Sequence, residues 1–471
     1  MKNKVFATAL ALALGATAAL ADSIVPVVSN VQMWQSVSSR KVNITYTLSG
    51  APAIVIVDIC TNGVSIGDAN LQYFTGDCNR VIQPGENKRV YWQSIKAWPG
   101  HEVVDRSVTA KVYAWPLDNP PDYMVADLIA QNAVTYYTST NALPDGGLTN
   151  DVYRTDRIVM RRIHAAGETF TMGSQDLNST DAQYARETRH HAQIDHDYWM
   201  AIYELTGRQY VHMCGTGRRA AWVNTGNGME AYGDMRPMIN LNYNHLRESS
   251  GNSGDSTYRY PNDPAPESVL GRLRARTGVD FDLPGEAEWE FACRAGTAPG
   301  GYWNDGSAYK LNFTQCNTSA GGGAQNGGTG RWGVDANLNN LARYSLNNGQ
   351  NNKGGWGDWW GWDVDVDKAT ARVGSYRPNA WGLYDMHGNA PEICLDYFKV
   401  DISRDNGAIN TTDNGDDTHV MRGGSFQSGP ITCRSASRQY REASYAYNNS
   451  GDLRSFEDGC RLVCRIDPVE E

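Results

Sequence analysis

Hydrophobic residues occupy every second position of a segment near the beginning of the chain. These residues are Val42, Ile44, Tyr46 and Leu48. A period of two predicts a strand with one buried face and one face in water. Residues 53 to 60 are almost continuously apolar, as a strand in the middle of a sheet would be. Residues 88 to 92 and 108 to 115 continue the pattern, so this part of the chain should be all β.

The short strands are separated by turn-forming Pro-Gly pairs that begin at Pro84 and Pro99. Their number and spacing predict a small immunoglobulin-like β-sandwich, which we assign to residues 22–117. A disulfide between its two cysteines, Cys60 and Cys78, would close a short loop and contribute ~3 kcal/mol. Residues 118–155 contain further turn signals, and we expect a linker there with at most one short strand.

The first residues have the pattern of a secretory signal peptide, assigned to residues 1–21. Lys2 and Lys4 give a short positive region, an Ala/Leu-rich run follows, and Ala19-Leu20-Ala21 supplies the small residues of a cleavage site. We therefore expect an exported protein that is periplasmic, bound at the cell surface or extracellular. No later apolar run reaches the length of a membrane span, so none is predicted.

Charge and cysteine content narrow the function classes. The net charge is −10 and no Lys/Arg-rich block is present, which argues against a nucleic-acid partner. The chain has nine cysteines, an odd number that leaves at least one thiol without a partner in the same chain. Their density is too low for a fold built on disulfides, so a hydrophobic core must provide most of the stability.

Three helices are predicted in the second half of the chain, where few other segments are regular. Thr206 and Gln209 form a capping box at the start of the first helix. Ser268 can cap a second helix that ends at Gly278. A third helix follows Pro284, and its early acidic residues suit the positive end of a helix dipole. These acidic residues are Glu286, Glu288 and Glu290, and the residues expected to face inward are Ala287, Phe291 and Arg294.

A series of short motifs runs through this second half. They include Phe170-Thr171-Met172-Gly173-Ser174, Tyr203-Glu204-Leu205-Thr206-Gly207-Arg208-Gln209-Tyr210, Arg236-Pro237, Leu283-Pro284-Gly285-Glu286-Ala287-Glu288-Trp289-Glu290, Trp381-Gly382-Leu383-Tyr384-Asp385-Met386, Arg422-Gly423-Gly424-Ser425 and Gly459-Cys460-Arg461-Leu462. In this order, they resemble the formylglycine-generating, sulfatase-modifying enzyme family. The resemblance implies that residues 156–468 form an α+β, coil-rich domain that is similar to a C-type lectin fold.

The resemblance also implies a calcium site. The segment from Gly388 to Glu392 looks like one of the calcium sites with which the family holds its irregular backbone together. Asn389 and Glu392 would provide an amide and a carboxylate oxygen, which are hard ligands that suit Ca²⁺. The alternative is that Asn389 and Glu392 only form hydrogen bonds within the turn. Either way, the role would be structural.

The family's oxidising members use two cysteines, shortly after Arg-Gly-Gly-Ser, to bind copper and convert a substrate cysteine to formylglycine. Residues 422 to 438 of this chain contain one cysteine, Cys433. Counting forward from Ser425 puts Cys433 at the second family position and Ser428 at the first. Counting back from Arg438 puts neither position on a cysteine. A hydroxyl cannot replace a thiolate as a Cu(I) ligand, so either alignment lacks a ligand pair.

Cys433 therefore has two readings, as a remnant of catalytic copper chemistry or as half of a disulfide with Cys293 or Cys394. The family's Trp-Glu-Trp is also replaced by Pro391-Glu392-Ile393, which alters the walls of a substrate groove. A Trp-rich insertion at residues 354–367 is either a small core or a contact surface. Among the histidines, His190, His191 and His196 are close in sequence but lack the spacing of a zinc motif.

Two functions are consistent with these observations. The first is a ligand-binding or surface interaction module, without the copper pair, whose partner is a protein, a peptide or a glycan. The alternative is an oxygen-dependent, formylglycine-generating oxidoreductase in which Cys433 and copper act on a cysteine of an exported protein. The incomplete cysteine pair favours the first function, because fold resemblance alone does not confer chemistry.

Overall fold

The computed structural model describes most of the chain. The described residues are 25–101, 103, 107–174, 184–215, 234–248, 256–297, 337–344, 347, 370–413, 415–426, 428–443 and 458–466. The segment assigned to a signal peptide, the Trp-rich insertion and Cys316 lie outside them. Within these ranges, no helix has the length and apolar character needed to cross a membrane.

The N-terminal part is β-rich and forms two sheets. Its described strands are β1 (Val27–Gln35), β2 (Val42–Ser49), β3 (Ala53–Thr61), β4 (Val64–Ser65), β5 (Phe74–Gly76), β6 (Val81–Ile82), β7 (Gly85–Trp92) and β8 (Val108–Trp115). One sheet has the order β1-β2-β7-β5, and the other has the order β4-β3-β6 with β8 on the free side of β3. A short helix, α1 (Ser94–Ala97), follows β7.

The two sheets share one core. Every second residue of β2, from Val42 to Leu48, is buried, as the alternation predicts. Trp92 of β7, in the same sheet, joins them, and Val55 and Val57 of β3 pack against them from the opposite sheet. The other face of β2 carries the polar residues Asn43, Thr45 and Thr47, so the shared core lies between the two sheets.

The predicted disulfide between Cys60 and Cys78 is not formed, and both thiols are free and buried. The amide of Asn79 donates to the carbonyl of Val55, which places Cys78 beside the beginning of β3. Cys60 lies five residues further along β3. This is roughly 16 Å along a strand, whereas bridged Cα atoms lie within ~7 Å. Cys78 also packs in the shared core with Ile59, while Cys60, the next residue, points to the opposite face.

The prediction of at most one strand in residues 118–155 is wrong. This segment contains two strands, β9 (Tyr123–Asp127) and β10 (Val134–Tyr137), which join the central sheet of the second half. The other strands of this sheet are β11 (Arg157–Ile163), β14 (Tyr198–Ala201) and β20 (Val463–Arg465). The order is β10-β9-β11-β14-β20 and the described pairs are antiparallel. The strands were missed because they are short and lie between turn-rich stretches.

The rest of the second half is mixed α+β and coil-rich, as predicted. The other described strands are β12 (Thr169–Met172), β13 (His190–Gln193), β15 (Ala342–Arg343), β16 (His387–Gly388), β17 (Glu392–Tyr397), β18 (Thr418–Arg422) and β19 (Gln439–Glu442). The described helices are α2 (Val152–Thr155), α3 (Gly207–Cys214), α4 (Tyr243–Arg247), α5 (Val269–Thr277), α6 (Glu286–Arg294) and α7 (Leu338–Leu341). β17, β18 and β19 form a small antiparallel sheet in that order.

The predicted helix ends are confirmed. The hydroxyl of Thr206 accepts from the amide of Gln209, whose side chain in turn accepts from the amide of Thr206. Ser268 caps α5 through the amide of Gly271, and Gly278 ends this helix in the left-handed region at φ 72°. These caps fix where α3 and α5 meet the core on one side of the central sheet. α6 packs with the core on the other side.

Candidate functional site

α6 lies almost entirely inside the domain. Its three glutamates, expected only to favour a helix N-terminus, are all buried. Each is paired with arginine. The pairs are Glu286 with Arg438 at 2.7 Å, Glu288 with Arg465 at 2.7 Å, and Glu290 with Arg294 at 2.6 Å and with Arg422. Ala287 and Arg294 are buried as predicted, while Phe291 is half-buried. The buried ion pairs of α6 therefore connect this helix to several other parts of the domain.

Glu288 illustrates the balance of forces at these anchors. Burial alone would raise the pKa of its carboxyl group. Arg465 and His196 outweigh burial and lower the pKa of Glu288 to about 2. His196 Nε2 donates to Oε1 of Glu288 at 2.8 Å, so it belongs to this ion-pair network. His191, by contrast, is exposed on β13.

Glu392 is held by Arg461 and Trp289. Arg461 Nη2 lies 2.7 Å from Oε1 of Glu392, and Arg461 Nε lies 3.0 Å from both carboxylate oxygens. Trp289 Nε1 donates to Oε2 at 2.6 Å. The same guanidinium also donates to the backbone carbonyls of Ala201 and Ile202. Glu392 is thus the acceptor of a fully buried network that joins α6, β14, β17 and the end of the chain.

Asn389 occupies a turn that only a few residue types tolerate, with φ 63° after Gly388 at φ 71°. Its Oδ1 accepts from the amide of Ala371 at 2.8 Å, and its Nδ2 donates to Glu204 at 2.6 Å. Glu204 also accepts from the amide of Ala390 at 2.9 Å. Asn389 therefore acts as a connector between the turn and the buried Glu204.

The arrangement of Asn389 and Glu392 does not fit a calcium ion. Both oxygens of Glu392 accept from donors, one of which is the positive guanidinium of Arg461. A cation bound there would have to displace this guanidinium or lie beside it. The single side-chain oxygen of Asn389 already accepts from Ala371. Among the residues described, no group of three or more His, Cys, Asp or Glu is arranged to hold a metal.

Two carboxyl groups near this network are poorly neutralised. Burial raises the pKa of Glu204 well above its usual range, and the charges of Asp385 and Glu392 raise it further. Burial also raises the pKa of Asp385, to about 6. Oδ2 of Asp385 accepts from the amide of Gly374 at 2.6 Å, whereas Oδ1 is buried without a hydrogen-bond partner in the described structure. Burial and the neighbouring negative charges therefore favour the protonated form of each of these carboxyl groups more than is usual.

Cys433 lies at the end of a short 3₁₀ helix and is fully buried. The carbonyl of Cys433 accepts a hydrogen bond from Nδ1 of His387 at 2.7 Å. A Cβ on Gly424, which has φ 74°, would lie 3.0 Å from the Cys433 sulfur, so the Arg-Gly-Gly-Ser turn covers this sulfur directly. Burial raises the pKa of the Cys433 thiol, which keeps it protonated at neutral pH. Ser428, which is the first family position when the count runs forward from Ser425, accepts from the amide of Ser425 at 2.9 Å within the same turn.

The predicted disulfide of Cys433 with Cys293 or Cys394 is also not formed. Cys293 of α6 and Cys394 of β17 are buried in the same core, and burial raises the pKa of both thiols. The sulfur of Cys293 faces the carbonyl of Met386 at 3.9 Å, and that of Cys394 faces the carbonyl of Glu392 at 4.0 Å. Each thiol is thus directed at a backbone oxygen in its own surroundings. The eight cysteines within the described ranges are all unbridged.

Sequence reasoning missed most of this network. Arg434 pairs with Glu187 through two hydrogen bonds of 2.8 Å, although 247 residues separate them. Arg461 and Arg422 belong to motifs quoted above, but the motifs did not indicate that either side chain forms a buried ion pair. A usable signal was present, because buried glutamates on α6 need counter-charges and the last part of the chain is rich in arginine. The sequence alone could not assign the partners.

A model of the sulfatase-modifying factor enzyme 1-like domain matches residues 156–455. A formylglycine-generating enzyme from Streptomyces coelicolor is 27% identical over 222 residues, which are 46% of this chain and 58% of the relative. The chain thus spans less than two thirds of that relative's length.

Solved structures provide two further similarities. PvdO from Pseudomonas aeruginosa has 18% identity and a TM-score of 0.40, with 65% of this chain and 94% of that chain covered. Treponema denticola variable protein 1 has 20% identity and a TM-score of 0.41, with 66% of this chain and 95% of that chain covered.

Proposed function

The chain belongs to the family of sulfatase-modifying factor enzyme 1-like domains, and we propose that it is an exported member that works as a ligand-binding or surface interaction module. In this proposal the family scaffold is kept and copper oxidation is lost. The N-terminal region is an immunoglobulin-like sandwich, and the second domain has a C-type-lectin-like fold. The partner is a protein, a peptide or a glycan.

The state of Cys433 supports this proposal most strongly. Copper-dependent oxidation requires two thiolates that are close together and reachable. Cys433 is 0% exposed, and burial raises the pKa of its thiol. Counted forward from Ser425, the first family position is the hydroxyl of Ser428, which lies 3.2 Å from the hydroxyl of Ser425; counted back from Arg438, neither position is a cysteine. Neither group is suited to bind Cu(I) as the turn is built.

The buried ion pairs support the same reading. The charged groups that converge on α6 pair with one another and with backbone carbonyls, as Arg438 does with the carbonyls of Arg186 and Lys399. Buried charges that are fully paired hold a structure together and are poor donors or acceptors of protons in a reaction. The charged groups in the interior of the domain therefore suit a structural role better than a catalytic one.

Copper titration tests the proposal. The mature chain, without residues 1–21, is titrated with Cu(I) in the presence of a chelating competitor, beside a Cys433→Ser variant. We expect the two proteins to bind copper equally and without a tight one-to-one site. Tight one-to-one binding that is lost in Cys433→Ser would overturn the proposal and establish the oxidoreductase alternative.

Thiol counting adds an independent measurement. The unfolded, reduced chain should react with nine equivalents of an alkylating reagent, one for each cysteine. In the native protein, mass mapping should find Cys433 unmodified, because a buried, protonated thiol reacts slowly. Rapid alkylation of native Cys433, together with oxygen consumption in the presence of copper and a cysteine-containing peptide, would contradict the proposal.

A further inference from the structure

One row of outward-facing side chains crosses the first N-terminal sheet from edge to edge. Trp34 of β1 lies opposite Asn43 of β2, Asn43 lies opposite Tyr91 of β7, and Tyr91 lies opposite Thr75 of β5. The row therefore alternates an aromatic ring with an amide or a hydroxyl on four adjacent strands. Neighbouring strands lie ~4.8 Å apart, so Trp34 and Tyr91 are separated by roughly 9.6 Å at the backbone.

The row faces away from the core. Ile44, Val90 and Trp92, which alternate with its members along their strands, are 0% exposed and fill the space between the sheets. Trp34 is 49% exposed even though it is the largest side chain of the row. An indole that could be buried but is displayed beside polar groups is typical of a binding surface.

The two outer faces of the N-terminal sheets differ. On the second sheet, Ile54 is buried in the core of the second domain, and Ile56 and Trp115 pack against that core. The second sheet is thus partly covered by its own chain. The first sheet presents Trp34 and Tyr91 on its outer face, and a cavity of about 470 Å³ opens over the row.

The functional groups that line the cavity indicate which class of ligand it could bind. Besides the row, its lining consists of Ser36, Ser39 and Lys41. The lining has two aromatic rings, three hydroxyls, one amide and one ammonium group, and it contains no carboxylate and no aliphatic hydrophobic residue. An apolar peptide would find few partners here, and a metal cation would find no anionic ligand. Its volume is in the range of small-molecule sites.

We propose that this row and the cavity above it bind an oligosaccharide. A sugar ring has one apolar face of C–H groups and a rim of hydroxyls. Trp34 and Tyr91 can each stack on such a face, and their separation leaves the amide of Asn43 between them. An amide both donates and accepts, so it matches a hydroxyl in either role. Lys41, Ser36 and Ser39 supply further donors at one end. This inference rests on the proposed function, because it names the ligand class of an interaction module.

Affinity gel electrophoresis tests the inference on the mature full chain. Native gels contain one soluble polymer each: hydroxyethyl cellulose, xyloglucan, galactomannan, laminarin or, as a polypeptide polymer, gelatin. The variants are Trp34→Ala and Tyr91→Ala. The matched control is Tyr113→Ala, since Tyr113 is a 46% exposed aromatic residue on β8 of the other sheet.

We expect at least one polysaccharide to retard the wild type and Tyr113→Ala equally. Trp34→Ala and Tyr91→Ala should each weaken this retardation at least tenfold, with melting temperatures unchanged because both side chains lie outside the core. Two results would overturn the inference: no retardation by any polysaccharide, with or without retardation by gelatin, or equal retardation of all three variants. The copper titration of Cys433 is unaffected by these results, so the failure of one proposal is distinguishable from the failure of the other.

Discussion

Arg461 and Glu392 lie 69 residues apart in sequence and form a two-pronged ion pair whose members are each at most 1% exposed. The pair stands where the resemblance implied a calcium ligand. The guanidinium of Arg461 supplies a buried positive charge against this carboxylate. The stability of the domain should therefore depend on this pair.

Removal of one charge of this pair should be costly. In Glu392→Gln, the guanidinium of Arg461 stays buried without a counter-charge, and we expect the free energy of unfolding to fall by about 3–5 kcal/mol. Urea unfolding monitored by circular dichroism measures the loss. The control is Glu267→Gln, which removes an exposed ion pair with Arg272 of similar length, 2.7 Å. The control should lose less than ~1 kcal/mol. Equal losses in the two variants would contradict the central role of the pair.

His419 should make the domain sensitive to acid. Burial lowers the pKa of this histidine to about 3, and its ring stacks on Tyr243 with the centroids 3.6 Å apart. Its folded pKa is below its unfolded value of ~6.5, so the stabilisation is present above pH 6.5 and is lost as the pH falls. Between pH 7.5 and 5, the wild type should lose ~2 kcal/mol that His419→Gln does not lose. Unfolding free energies at the two pH values measure the difference, and parallel losses would contradict it.

Asp385 should have the opposite effect. Its folded pKa of about 6 is above the ordinary value of 3.8, so its stabilising contribution is present below pH 3.8 and is lost as the pH rises through 6. Asp385→Asn, which cannot ionise, should be more stable than the wild type at pH 8, by ~3 kcal/mol at most. This gain should disappear near pH 4. Melting curves at both pH values test the prediction, and a variant that is less stable at pH 8 would contradict it.

Gly424 should be more sensitive to substitution than another left-handed glycine. Gly424 and Gly382 have φ 74° and φ 79°, but an added Cβ would be 3.0 Å from the Cys433 sulfur at Gly424 and would contact nothing within 4 Å at Gly382. Gly382→Ala should lose ~1 kcal/mol from backbone strain alone. Gly424→Ala should lose a further ~1–3 kcal/mol from overpacking. Equal losses in urea unfolding would show that the turn does not press on Cys433.

Calcium can be tested separately at Asn389 and Glu392. Because their oxygens are occupied by protein donors, we expect a chelator to leave the melting temperature unchanged. An ion that binds only the folded state must raise this temperature. The acidic run Asp363, Asp365 and Asp367 lies outside the described residues, so the measurement is repeated with these residues changed to Asn. A calcium-dependent rise that survives in this variant would contradict our reading of Asn389 and Glu392.

Local features of the fold were predictable. The caps at Thr206, Ser268 and Gly278 involve residues within a few positions of one another, so the sequence contains all the participants. The same is true of the alternation in β2. β9 was missed because it is short and lies between turn-rich stretches, and because only one of its two partners, β10, is close in sequence; on the other side, Asp127 lies opposite Arg157 of β11, 30 residues further along the chain. The pairing partners of a short strand define it more than the pattern of its own residues does.

The candidate site was less predictable for the same reason. The family motifs marked Glu286 and Glu392, but Glu286 pairs with Arg438 across 152 residues. The sequence suggested roles at a helix end and at a metal, and only the fold brings the arginine to each carboxylate. The predicted disulfide between Cys60 and Cys78 was wrong for a related reason. The number and spacing of cysteines do not reveal that the two thiols lie on opposite faces of a sheet.

The row of buried ion pairs along α6 has a consequence for how such a chain can change over time. Its fixed points are a few arginine and glutamate side chains, and many of the described residues between them are irregular. Loops of this kind can lengthen, shorten or be exchanged while the ion pairs at their ends remain formed. A domain of this design can carry many different outer surfaces on one interior.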